Sequence, residues 1–131
     1  MESLLGHIAE YLKRELDSNL PQRRAATRAQ CAAEILELMN REEIATLARL
    51  WFDILSGAQA GDPVKKRIAG DIMASFHAWL IGRIPDDEAD PPRAAWALLA
   101  LIEGIVVLNA AGHGEAALGA AGLLLGETPQ P

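Results

Sequence analysis

The stretch from Asp90 to Gly112, DPPRAAWALLALIEGIVVLNAAG, is the longest apolar run in the chain and constrains its fold more than any other segment. Asp90 offers a side-chain oxygen to cap a helix whose first turn holds Pro91 and Pro92, positions that need no backbone N–H, and Gly112 can end that helix. Between these limits Ala95, Trp96, Leu98, Leu99, Leu101, Ile102, Ile105, Val106 and Leu108 carry apolar side chains around nearly the whole circumference. A helix of that kind must be covered on every side. In a chain of 131 residues, intramolecular packing covers about half of it, so the remainder must meet a membrane, a large ligand or another subunit. The expectation here is another subunit.

The length fits one domain, which should expose about 6,700 Å² when folded. Half of the residues are hydrophobic but only 5% are aromatic, and Ala and Leu dominate while β-branched residues are few, a composition that favours helix. Apolar residues at spacings of three and four predict a first helix over 2–17, through Leu4, Leu5, Ile8, Tyr11, Leu12 and Leu16. A second is expected from about Pro21 to Met39, with Ala25, Ala29, Ala32, Ala33, Ile35, Leu36 and Met39 toward the core. Asn40 and Glu43 resemble a capping box for a third helix, which carries Ile44, Leu47, Leu50, Trp51, Ile54 and Leu55 and stops near Gly57. Asp62 and Pro63 start a fourth, with Ile68, Ile72, Met73, Phe76, Trp79, Leu80 and Ile84 on its stripe. After the apolar helix, a short final helix is expected from about His113 to Leu125, whose small residues Ala116, Ala117, Gly119, Ala120, Ala121 and Gly122 permit close approach. The reading is all-α, a single helical-bundle domain of about six helices over 1–126, with 127–131 a flexible tail.

A formal charge of −6 argues against broad electrostatic attraction to nucleic acid. Arg14, Arg23, Arg24 and Arg28 read as a solvated helix face. A single cysteine, Cys31, rules out an internal disulfide and fits a reducing compartment, and no cleavable leader opens the sequence, so a cytoplasmic location is expected. His7, His77 and His113 lie far apart and no ligand spacing suggests a metal, so neither metal nor cofactor is expected. No nucleophile elbow or phosphate-binding glycine loop is present, and no enzyme is expected.

Met39, Trp51, Met73, Phe76, His77, Trp79 and Trp96, with Cys31, have the bulk and adaptability to line a pocket for an apolar or aromatic molecule between the third, fourth and fifth helices. The plainer alternative is ordinary core. Glu103 sits in apolar surroundings, where an unpaired carboxylate is costly. It is read either as a ligand or interface contact, or, as favoured here, as the partner of Arg93, His113 or a backbone group. Glu103 and Asn109 also argue against a membrane span over 94–112.

Trp51 and Phe52, then Asp90-Pro91, Ala94-Ala95 and the acid–glycine pair Glu103-Gly104 within an apolar run, resemble the C-terminal effector-binding and dimerisation domain of TetR-type transcriptional regulators. The resemblance covers most of the chain from about residue 40 and, more loosely, its beginning. It implies that the last two helices form a four-helix seam with a second copy, through Trp96, Leu99, Ile102, Glu103, Val106, Ala117, Ala120, Ala121 and Leu124. It also implies that 1–17 is the helix joining this domain to a helix-turn-helix unit, which this sequence lacks; operator DNA would then be a partner only where such a unit is attached. The rival reading is a stand-alone interaction module that recruits a different protein through the helix 90–112.

Overall fold

The computed structural model describes residues 2–21 and 23–126; the side chains of residues 2–6, 8 and 43 lie outside that description. Among the described residues seven helical elements follow one another: α1 (Glu2–Asn19), α2 (Arg28–Met39), α3 (Glu42–Gln59), α4 (Pro63–Ile81), α5 (Pro91–Ala110), α6 (Gly114–Ala120) and the single turn α7 (Gly122–Leu125). No strand occurs among the described residues, so the chain is an all-α bundle. The expectations for Leu4, Leu5 and Ile8, and for the tail 127–131, fall outside the described residues.

Local chemistry sets most of the boundaries. The Asp62 carboxylate accepts from the N–H groups of Val64 and Lys65, and Pro63 follows at the first helical position. Asp90 caps α5 through the N–H of Arg93. That helix closes in a Schellman arrangement: Gly112 takes φ 88°, its N–H reaches Asn109, and the N–H of His113 reaches Leu108 at 2.8 Å. Only a residue tolerant of positive φ fits there.

Several boundaries differ from the sequence expectation. The second helix starts at Arg28, not near Pro21, because Thr27 is its cap, accepting from the N–H of Gln30. The preceding segment is held instead by the end of α4: the Ala25 N–H bonds to the Arg83 carbonyl at 3.1 Å, and the Arg24 guanidinium donates to the carbonyls of Ile81 and Ile84. These carbonyls would otherwise lack partners at a helix end. The arginine cluster is therefore not one solvated face. Arg24 closes α4, and Arg28 forms a paired bond with Glu88, whose carboxyl is held below its ordinary range by that partner. Asn40 does not cap α3. It completes α2 in the right-handed helical region, and Arg41 occupies the cap position of α3, since only two residues separate the helices. The expected final helix breaks at Ala121 into α6 and α7, consistent with its glycines. Tyr11 and Ala33, expected on core stripes, are exposed.

α4 packs against α1, α3 and α5, while α2 fills the opposite side against α5, α1 and α3. The main core joins Leu16, Cys31, Ile35, Leu80, Ile84, Ala95, Leu98 and Ile102, and a smaller one, Ile54, Ile68 and Ala69, closes the α3–α4 hairpin. Ile84 is buried although it lies beyond the end of α4. Cys31 sits in the main core, where burial pushes its thiol up to about 11 and keeps it neutral.

α5 buries one face only. Ala95, Leu98, Leu99, Ile102 and Ile105 point inward, whereas Val107, Leu108 and the small residues Ala97, Ala100 and Gly104 are exposed. By length and composition α5 could cross a membrane, and only 28% of its apolar window is buried within the subunit. The sequence expectation of an uncovered face is thus met in the isolated chain, and the occupant of that face is the open question for function.

Candidate functional site

Between the two cores lies a cavity of about 90 Å³. All five long helices contribute to its wall: Leu12 and Leu16 from α1, Ile35 and Met39 from α2, Leu47 and Trp51 from α3, Met73, Phe76 and Trp79 from α4, and Glu103 and Val106 from α5. The wall is aliphatic and aromatic with one exception. Among the described residues Glu103 is its only ionisable side chain.

Glu103 reaches the cavity because it follows Ile102 and precedes Val106 on the inward side of α5. The indole Nε1 of Trp51 donates to its Oε2 at 3.1 Å. Neither Arg93 nor His113 bonds to it, so the pairing favoured from sequence is replaced by an indole from a helix fifty residues away. Long-range partners of this kind leave no trace in local spacing. Burial pushes the Glu103 carboxyl above its ordinary value, and the Trp51 hydrogen bond offsets only part of that push. α3 lies along α4, and the Trp51–Glu103 bond links α3 to α5 across the cavity.

The pH dependence follows from that burial. The folded state disfavours ionised Glu103, so its contribution is least unfavourable below the unfolded carboxyl value of 4.5. Stability is lost as pH rises from there through the higher folded value. Glu103→Gln keeps an oxygen for Trp51 and removes the charge. The variant should be more stable than the parent at pH 7 by on the order of 1 kcal/mol, with the difference vanishing near pH 4. Urea titrations at the two pH values check this; equal gains at both would mean that ionisation is not what the site opposes.

Five of the seven residues expected in a pocket line this cavity: Met39, Trp51, Met73, Phe76 and Trp79. His77 and Trp96 do not. They stack on each other outside it with ring centroids 4.0 Å apart at 14°, and the His77 Nε2 donates to the Pro92 carbonyl at 2.7 Å, joining α4 to the start of α5. Helical rotation explains the difference, since His77 follows Phe76 by one position and is turned by about 100°. Trp79 reaches past the cavity to donate its Nε1 proton to Asp17 at 2.8 Å. Leu12, Leu16, Leu47 and Ile72 are among the further wall residues that the pocket reading did not single out. Their apolar periodicity was visible, but it does not distinguish a cavity wall from packed core.

The residues expected at a subunit seam divide. Leu99, Ile102 and Ala121 are buried inside the subunit, and Glu103 and Val106 turn to the cavity. Ala117 is half-buried under α5, while Trp96, Ala120 and Leu124 remain at the surface. What the outer face presents instead is Ala97, Ala100, Gly104 and Leu108, which share an open groove with Ala117, Ala120 and Leu124. Among the described residues no cluster of histidine, cysteine and carboxylate side chains could hold a metal ion. No family model, curated protein or solved structure matches this chain.

Proposed function

We propose that this chain is an effector-sensing and homodimerising helical domain of the kind found in TetR-type regulators, binding a small apolar or aromatic molecule in the cavity of each subunit. The observation that carries the reading is the two-sidedness of α5. Its inner face borders the cavity, and its outer face is apolar and uncovered. A change of cavity shape is therefore adjacent to the surface through which two copies would touch.

The exposed surface supports the same reading. Leu108, Leu118, Leu123 and Leu124 are exposed, the last two at 80% and 79%. Leu108 and Leu124 border the same groove, and contiguous exposed apolar surface marks an interaction site. The small residues along the α5 groove allow a helix from a second copy to approach closely, and a two-fold contact uses the same patch on both partners.

A ligand shifts such a domain only as far as its affinities for two arrangements differ. In a chain that carries a DNA reader, α1 would transmit the shift by changing the spacing of two readers, to which half-site recognition is sensitive. This domain by itself would not bind operator DNA, consistent with its net negative charge.

Light scattering after size exclusion, across a hundredfold dilution, tests the dimer. A stable two-chain mass is expected. A well-behaved monomer would remove the dimeric regulator reading, and the exposed α5 groove would then favour a foreign partner helix.

A further inference from the structure

Resting on the sensing role proposed above, we infer that the cavity ligand is a small lipophilic amine, bound as its cation, with its hydrocarbon body against the apolar wall and its ammonium paired with Glu103. Three observations combine. The first is the isolation of the charge: among the described residues, Glu103 is the only ionisable one in a wall otherwise built from aliphatic and aromatic side chains. Glu103 is partly buried, a carboxylate loses hydration there unless paired, and among the described residues no lysine, arginine or histidine lines the cavity to pair with it.

The second is hydrogen-bonding capacity. The Trp51 indole supplies one donor at Oε2, whereas an ionised carboxylate has about four lone-pair sites. An ammonium brings several N–H donors and a positive charge, and charge-assisted bonds are roughly twice as strong as neutral ones. An alcohol brings one donor and no charge, and a carboxylate ligand would repel Glu103.

The third is the aromatic wall. Trp51 and Phe76 both line the cavity, and a cation that comes within about 6 Å of either ring face is attracted to it. The hydrocarbon body gains from the remaining wall by leaving water. At about 90 Å³ the cavity is smaller than one that admits benzene, about 150 Å³, so a benzyl-sized body requires some widening. An ammonium at Glu103 would share the carboxylate that the Trp51 indole of α3 already bonds. Entry of an amine would therefore act on the contact that joins α3 to α5.

Calorimetric titration of the whole chain at pH 7.5 with benzylamine, benzyl alcohol and benzoate separates the possibilities. Benzylamine should bind at least tenfold more tightly than benzyl alcohol, and benzoate more weakly than either. In Glu103→Gln the amine should lose that advantage while benzyl alcohol binding is kept, which also shows that the variant cavity is intact. Equal affinity for amine and alcohol in the parent, or an amine preference that survives in the variant, would overturn the inference and leave the sensing role standing. If none of the three binds up to millimolar concentration, the amine inference falls, and the dilution series above still tests the regulator reading by itself.

Discussion

Replacing Leu80 with alanine should destabilise the chain by about 3–5 kcal/mol, among the largest effects of any single truncation. Leu80 is 1% exposed, belongs to the main core and also borders the cavity. Truncation therefore removes the transfer free energy of a fully buried side chain and enlarges an existing void of about 90 Å³. Each additional Å³ of unfilled space costs about 24 cal/mol, and a wall drawn from five helices has little freedom to collapse inward. Urea denaturation followed by circular dichroism measures the loss. Val64→Ala, at a side chain 47% exposed near the start of α4, should change stability by no more than about 0.5 kcal/mol and serves as the control. A loss below about 1 kcal/mol for Leu80→Ala would show that the site is loosely packed or that the cavity closes readily, contrary to the packing described.

Gly104→Arg should convert the expected dimer to a monomer, weakening self-association by at least about a hundredfold, while leaving the subunit folded. Gly104 lies on the exposed side of α5, beside Ala100 and Leu108 in the groove, and a Cβ built there meets nothing within 4 Å. A side chain can thus grow outward without clash inside the subunit. In a seam of small residues, however, a guanidinium would separate the approaching helices and be stripped of water without a partner, and like charges would face each other across the two-fold axis. Gly104→Ala separates the two effects. It should stabilise the helix by up to about 1 kcal/mol, because glycine is the poorer helix former, and should leave the dimer largely intact. Solution mass, paired with thermal unfolding of each variant, gives the answer. Unchanged self-association in the arginine variant would place any seam elsewhere, with Leu123 and Leu124 the next surface to test.

The order of the helices was legible because their signals are local. Asp62-Pro63 and Asp90-Pro91 start α4 and α5 as expected, and Gly112 ends α5. The error at α2 arose where a local signal competed with a distant one. The alanines after Pro21 suit a helix, but Arg24 and the Ala25 N–H bond instead to the end of α4, a partner some sixty residues away. At Asn40 two readings of one residue competed, helix end and helix start, and the short connection left it to finish α2.

Periodicity by itself determined that the chain is helical, that α5 has more apolar surface than its own subunit can cover, and that Met73, Phe76 and Trp79 face inward from α4. These follow from residue type and a fixed angular step of about 100° per residue. Only the tertiary structure decided which inward-facing residues border empty space, that His77 and Trp96 stack outside it, and that Glu103 meets Trp51 rather than a cation. The physical reason is the same in each case. A helix's own sequence sets which way each side chain points, but the space it enters and the partner it finds depend on the translation and rotation of neighbouring helices, which many weak packing contacts fix together.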